Sequence, residues 1–387
     1  MQLTYKNHPL YAMLKKVKDF YGSDYPLPMR VTNPQGRSAT FSNAQAQKTA
    51  SIYRKFSLTR AKDYSLASID SESIMASESS AGAFLKLATA EIDGALDSLA
   101  RSLAWSIYGD SSGALGAVTS ITSANPAVIQ LTNVDDIVKF EKGQLLQARS
   151  GATTRVFATG VTTATVVGVD RDLGTITTDV DNSGNTDTIV AGDTLNVVGD
   201  YNVKMSGLAA WIPAAAPGAT AFFGVDRTSD VTRLAGNRIA SSGKPLDEAW
   251  IDAARRVGRE GGSPDHGFCS FSKYASLEKT LGSRVQYNDM EIPVGPGVSV
   301  GFRGIQISGP QGPITIVPDK DCPDNRQYLL TMDTWGLYSL KEPVQILDLD
   351  GNKMLRESSA DAYEIRCATF SQLGCNDPGA NAVMTFT

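Results

Sequence analysis

The chain has 387 residues, 42% hydrophobic and 20% charged, and its 36 basic and 41 acidic side chains leave a formal charge of −5. That length predicts two or three domains, and the balance is that of a globular protein, which excludes collagen-like, coiled-coil and disordered chains. A net acidic chain is also poorly suited to gripping nucleic-acid phosphates as its main task. The four cysteines, at 269, 322, 367 and 375, form no Cys-x-x-Cys pair. This argues against a zinc site or a disulfide-dense secreted scaffold and for a reducing compartment. Lys15, Lys16 and Lys18 interrupt the first apolar run, so no secretory signal is expected. The apolar stretch 208–217 is too short to cross a bilayer and contains Pro.

The first expected element is a helix over residues 9–21, where Leu10, Met13, Leu14, Val17 and Phe20 recur at helical spacing and Gly22 ends the run. Its lysines read as a solvated face. Residues 25–70 then change character, with Pro26, Pro28, Pro34 and Gly36 as punctuation and few large apolar residues. Such an arm of about 40 residues is expected to bury no core of its own, to project as a hairpin and to gain stability from a neighbouring chain. Partial disorder is the alternative for its tip, residues 38–49. The extended stretch 51–66 carries Arg54, Lys55, Arg60 and Lys62. Acidic residues follow closely and no aromatic ladder accompanies these cations, so contact with acidic surfaces of other subunits suits them better than nucleic acid.

The strongest periodicity follows: Leu85, Ala88, Ile92, Leu96, Leu99, Leu103 and Ile107 lie at steps of three and four. It predicts a helix of about 28 residues and roughly 40 Å, capped by Ser79 or Ser80 and ended by Gly109. From residue 117 to about 202 the period becomes two, and Thr and Val abound, which reads as all-β. Within it, Phe140-x-x-Gly143-x-x-Leu146 and Ile189-x-x-Gly192-x-x-Leu195 repeat one pattern, a hint of two related halves of a small barrel or sandwich. After a Pro- and Ala-rich joint at 211–217, a helix is expected over 246–259. Leu246, Trp250, Ala253, Ala254 and Val257 form its inner stripe, and its end charges suit the dipole. A strand at 266–271, a short helix from Ser272 and a run of short strands to the end complete the order.

Motifs for chemistry are thin. The chain has two histidines, His8 and His266, which leaves little for general acid–base work. Gly297-Val298-Ser299-Val300-Gly301 has the letters of a nucleophile elbow, but both histidines precede Ser299 and no helix follows, so an edge strand is the better reading. Asp179, Asp181 and Ser183 match the first half of a calcium loop. The position of the closing Glu is Val190, and a hairpin turn is favoured over a metal site. The phosphate-binding and dinucleotide fingerprints fail.

Taken in order, these parts resemble the major capsid proteins of tailed phages with the HK97-type fold. Arg54-Lys55-Phe56-Ser57-Leu58-Thr59-Arg60 leads into Gly82-Ala83-Phe84-Leu85 as the family's extended hairpin leads into its spine helix. The helix at 246–259 and Ser272-Lys273-Tyr274-Ala275-Ser276-Leu277 fit its axial domain, as does Gly301-Phe302-Arg303-Gly304-Ile305-Gln306-Ile307. Ala362-Tyr363-Glu364-Ile365-Arg366-Cys367 looks like its peripheral strands.

The resemblance implies an α+β, HK97-like capsid fold with an inserted all-β domain. Its parts would be an N-terminal arm at 1–28, an E-loop at 29–66, a P-domain with the spine helix at 67–116 and the insert at 117–202. A P-domain return at 203–221, an A-domain at 222–345 and terminal P-domain strands at 346–387 would follow. It further implies a virion shell protein, made and assembled in the host cytoplasm, with no enzyme activity, cofactor, metal or membrane. Its partners would be copies of itself in hexamers and pentamers, scaffold, portal and decoration proteins, and packaged DNA held non-specifically. Arg54, Lys55, Arg60 and Lys62 would be assembly contacts. Some members cross-link an E-loop Lys to an Asn, with a Glu as base; Asp361 and Ala368 stand at those two places, so no cross-link is expected. An encapsulin-like compartment shell is the nearest alternative reading, and a β-rich carbohydrate-binding surface protein is one of another class.

Overall fold

The computed structural model describes residues 8–72, 81–183, 187–282, 285–295, 298–348 and 351–386. The expected caps Ser79 and Ser80, Gly184 of the calcium-like loop and Gly297 of the elbow-like motif lie outside the described residues, as do the side chains of Leu85 and Ala88. The chain divides into two compact units, one made of residues up to 108 and from 205 onward, the other of 109–204.

The expected N-terminal helix is cut to one turn, α1 (Pro9–Met13), followed by a short strand, β1 (Lys15–Val17). β1 pairs in parallel with residues 336–338, and this ladder outweighs the weak helical preference of so short a run. Leu10, Leu14 and Phe20 are still core residues, but they reach the core from separate elements. Nor is Lys16 solvated. Its Nζ donates to the carbonyls of Tyr11 and Ala12, and burial lowers its pKa to about 8.

β2 (Asp24–Thr32) and β3 (Ile52–Thr59) form a two-stranded antiparallel ribbon, with Leu27 opposite Phe56 and Tyr25 opposite Leu58. Here the expectation of an arm without its own core is corrected. Leu27, Met29, Val31, Phe56 and Leu58 alternate inward and are buried in the main core of their own chain. Period two was present in the sequence, masked by Pro26, Pro28 and the intervening charges. Only the tip projects: residues 33–50 are exposed apart from half-buried Ala44, and they carry a six-residue helix, α2 (Phe41–Ala46).

β4 (Ala61–Asp70) leads to the long helix α3 (Ala81–Tyr108), which has the expected 28 residues. Leu99, Leu103 and Ile107 are buried in its second half, while Ile92 and Leu96 pack half-buried on Ile69, Ile365 and Cys367.

The second unit is all-β, as its alternation predicts: β5 (Ala114–Ala124), β6 (Ala127–Leu131), β7 (Leu145–Ser150), β8 (Thr153–Thr154), β9 (Ala164–Asp170), β10 (Thr175–Thr178) and β11 (Thr194–Val197). Antiparallel pairs run β11-β5-β6-β10-β9-β7, and β7 pairs back onto β11, so six strands close a barrel. Its interior holds Val118, Ile129, Leu131, Phe140, Leu146, Phe157, Val166, Ile176 and Leu195.

The sequence repeat has a structural counterpart in this barrel. Gly143 and Gly192 both have positive φ, +89° and +91°. Gly143 N donates to Val166 O while Val166 N donates to Gln144 O; Gly192 N donates to Val118 O while Val118 N donates to Asp193 O. Exchanging β5, β6 and β7 with β9, β10 and β11 reproduces the same ring of pairings.

Beyond the barrel come α4 (Leu208–Trp211), α5 (Val231–Ala235), β12 (Asn237–Ala240), α6 (Leu246–Arg259), β13 (His266–Cys269) and α7 (Phe271–Leu281). β14 (Tyr287–Gly295), β15 (Val298–Gly309), β16 (Gly312–Pro318), β17 (Arg326–Leu330), β18 (Trp335–Ser339), β19 (Gln345–Ile346), β20 (Leu355–Arg356), β21 (Ala362–Cys375) and β22 (Ala382–Thr385) follow.

Two sheets organise this unit. In the first, ordered β12-β22-β17-β13-β16-β15-β14, alternate residues separate two cores. Phe268, Val317, Tyr328, Leu330 and Val383 face the main core, while Cys269, Ile316, Leu329 and Met384 meet Trp250, Ala253 and Val257 of α6. In the second, β21 pairs with β4 over ten positions on one side and with β18, β19 and β20 on the other. The architecture is α+β. Ser299 lies on the part of β15 that pairs with β14 alone, since β15 meets β16 only from Ile305, so it sits at an edge in a two-stranded hairpin extension, as expected.

α3 and α4 approach through Gly207, where a Cβ would stand 2.2 Å from the carbonyl oxygen of Ile107. Gly94, exposed in α3, has nothing within 4 Å of its Cβ position. In urea unfolding of the full chain, Gly207→Ala is expected to cost about 2–3 kcal/mol by overpacking. Gly94→Ala should instead gain up to about 1 kcal/mol from helix propensity.

Candidate assembly surfaces

The four cations of the 51–62 stretch have different fates. Arg54 and Lys55 are exposed on β3, and Lys62 is exposed on β4. Arg54 lies near enough to Asp226 to add the smallest of the pulls, after the Thr228 hydrogen bonds, that hold that carboxyl below its ordinary range. Arg60 is half-buried: its Nη1 donates to Phe20 O at 2.8 Å and its guanidinium sits 4.9 Å from the centre of the Phe20 ring. It serves its own chain, tying β3 to the segment before β2, so the structure does not bring these four residues into one patch.

A charge-led reading of the arm passed over the apolar residues between the charges. Phe41 at the tip is 80% exposed and Tyr53 63%, with Ile52 beside it. A second exposed apolar group lies on β4, where Ala67 and Ile69 face inward and Tyr64 and Leu66 therefore point out. Tyr64 packs edge-on against Phe370 at 5.8 Å, and Leu66 stands opposite exposed Arg366. Alternation along residues 61–70 was the sequence signal that would have found this face.

The chemical motifs are absorbed into structure. Ser299 Oγ reaches Glu291 Oε2 across the hairpin at 3.5 Å, and each histidine sits on an aspartate elsewhere, His8 on Asp321 and His266 on Asp265. Asp179 Oδ1 accepts from the backbone of Thr165 at 2.6 Å, which ties it into the barrel. Among the described residues, no three His, Cys, Asp or Glu side chains are grouped to hold a metal ion, and no helix is long and apolar enough to cross a membrane. All four thiols are buried, and desolvation pushes each above the usual cysteine range. At the two positions matched to a cross-link, Asp361 is exposed beside Arg356 Nη2 at 3.3 Å and Ala368 is buried opposite Tyr64.

No family model matches the chain and no curated protein matches its sequence. Solved structures do. The capsid of cyanophage A-1(L) superposes with a TM-score of 0.54 at 13% identity, over 98% of this chain and 92% of that one. The chain has the HK97-type capsid fold. The capsid of a native GTA particle gives a TM-score of 0.48 at 9% identity, over 97% and 88%. The SrpI encapsulin of Synechococcus elongatus PCC 7942 gives 0.45 at 9%, over 100% and 89%.

In this capsid fold the ribbon, long helix and two sheets all arise from one chain, yet the ribbon tip and the outer face of β4 leave large apolar side chains uncovered. Exposed apolar groups of this kind mark contact surfaces when they cluster. Arg60→Ala is expected to lower the stability of the isolated chain by roughly 1 kcal/mol, since it removes a charged hydrogen bond and a ring contact. Lys55→Ala should leave thermal unfolding unchanged within about 0.5 kcal/mol.

Proposed function

We propose that the chain is a major capsid protein, which self-assembles into the icosahedral head shell around the double-stranded DNA of a tailed bacteriophage and catalyses nothing. The observation that carries this reading is the joint one: a capsid fold matched over nearly the whole of both chains, together with Phe41 at the ribbon tip and Ile52 and Tyr53 at the start of β3, which are left largely exposed in their own chain. Residues 1–28 serve as the arm, 29–66 as the E-loop, and 67–108, 205–221 and 346–387 as the P-domain, the barrel unit taking 109–204 rather than the expected 117–202. Residues 222–345 serve as the A-domain, with the barrel inserted between the spine helix and the P-domain return.

In a closed shell each contact recurs by symmetry, so individually weak contacts suffice. The tip supplies apolar area flanked by Arg54 and Lys55, which suits a neighbouring copy with an acidic rim. Capsomers would be hexamers and pentamers, formed in the host cytoplasm with a scaffold and a portal, with decoration proteins as possible additions and the packaged DNA touched non-specifically.

Negative-stain microscopy and sedimentation of the purified protein test the proposal. Capsomers or closed shells are expected, and a chain that stays monomeric under every condition would end the reading. The double variant Phe41→Ser, Tyr53→Ser should keep the thermal stability of the single chain within about 1 kcal/mol and lose shells at least tenfold in yield, since its targets are mostly exposed within the chain.

With Asp361 and Ala368 at the positions matched to the cross-link, mature particles should run on denaturing gels as one band near 41.2 kDa. A ladder of multiples would contradict this.

A further inference from the structure

One group of titratable side chains serves none of these surfaces. Asp319 and Asp321, on the turn after β16, are both nearly inaccessible to solvent. Asp319 Oδ2 accepts from Tyr108 Oη at 2.8 Å and from the backbone N of Leu10 at 3.3 Å, while its Oδ1 accepts from the backbone N of Asp321 at 3.0 Å. Asp321 Oδ2 meets Nδ1 of buried His8, and among the described residues Asp321 Oδ1 has no partner. The cluster thus fastens three distant parts of the chain: the segment at His8–Leu10, the last residue of α3 and the turn at 319–321.

The charges do not balance. The imidazole of His8 meets Asp321, and among the described residues no cation is bonded to Asp319, in a site closed to water where like charges so near each other cannot both ionise cheaply. The other groups around it supply no relief. The Tyr108 phenol and the Cys322 and Cys269 thiols are pushed up by burial and stay neutral. Asp324 is turned to Ser270 and Lys273. On β14, which packs against α1, Asp289 pairs with Arg303 and Tyr287 with Glu278. At the far end of α1, Lys16 is held by the carbonyls of Tyr11 and Ala12.

We propose that this cluster is a proton-operated latch: while a proton is held on Asp319 the segment from His8 to Leu14 stays seated on the end of α3, and loss of that proton loosens it. The direction follows from Asp319. Burial first, and then the charge of Asp321, raise its pKa from 3.8 to about 7. A carboxyl raised on folding contributes stability that is complete below its unfolded pKa and is lost as pH rises through its folded one, so the latch weakens from acid toward neutral pH. Lys16 acts oppositely, but burial lowers it only to about 8, so it titrates above that window. The inference holds whatever the chain assembles into.

Hydrogen exchange of the full-length chain tests it. The amides of Ala12 and Leu14, which donate to His8 O and Leu10 O, report on the segment. After correction for intrinsic base catalysis, their opening is expected to rise about twentyfold between about pH 5.5 and about pH 7.5. Amides of β6 and β10 in the barrel should show no such rise. Asp319→Asn should flatten the dependence to within about threefold. Tyr108→Phe removes a hydrogen bond that favours the ionised form, so it should move the midpoint to higher pH, whereas a merely structural hydroxyl would loosen the segment equally at every pH. If Asp319→Asn fails to fold, the wild-type profile and the Tyr108→Phe midpoint decide the matter. A flat wild-type profile, a slope that survives in a folded Asp319→Asn chain, or an unmoved Tyr108→Phe midpoint would each overturn the latch.

Discussion

The β2–β3 ribbon is fastened to the rest of the larger unit around one buried indole. Trp211 donates from Nε1 to Leu373 O at 3.0 Å, and its ring meets Phe56 at 5.1 Å, Phe222 at 5.1 Å and Trp335 at 6.5 Å. Two strands alone are marginally stable in water, so β2 and β3 need such a platform. Burying Phe56 and Leu58 there supplies roughly 2–3 kcal/mol each. The platform is itself braced. Arg227 donates to the carbonyls of Ala210 and Trp211 and lies 4.2 Å from the Phe222 ring centre, and desolvation lowers its pKa to about 10. A cation largely removed from water is tolerated because it satisfies helix-end carbonyls that would otherwise be orphaned.

This hub was invisible in the sequence for a physical reason. Trp211 begins a Pro- and Ala-rich stretch with no period of its own, so it reads as a joint, and its partners lie on elements up to 162 residues away. Periodicity reports contacts that an element makes along its own face. It therefore found α3 and the stripe of α6, where Ala249, Trp250, Ala253, Ala254 and Val257 are buried. It failed at residues 9–21, where three- and four-residue spacings also satisfy a turn, a strand and a bend that each contribute one anchor. The assembly surface was half legible. The cations were visible by type, but whether a cation pairs at home, as Arg60 does with Phe20, depends on folding that no spacing encodes.

The barrel shows what a fold can accept at little cost. Its strands begin and end together: Asn202 N donates to Ser112 O at 3.4 Å, Asn196 Nδ2 donates to the same carbonyl at 2.9 Å, and Gly113 is pressed so near Asp200 that a Cβ would stand 2.5 Å from its carbonyl. A closed barrel leaves no open edge to pair wrongly and buries its own core, so each copy of the Phe/Ile-x-x-Gly-x-x-Leu unit completes the other. Because the ends meet, the rest of the chain experiences the insert as a short loop, and loop-closure entropy grows only slowly with what lies between.

Charge separates the two units as sharply as topology does. Residues 109–204 hold eleven acidic and six basic side chains, which is the whole of the net charge of −5, while the rest of the chain is balanced at thirty of each. In the shell reading, copies of the balanced unit can approach without net repulsion, leaving attraction to the apolar groups at Phe41, Tyr53, Tyr64 and Leu66. Copies of the barrel repel, but salt confines that repulsion to about 8–10 Å. In that reading, contact through the balanced unit, at the ribbon and the outer face of β4, meets no net repulsion.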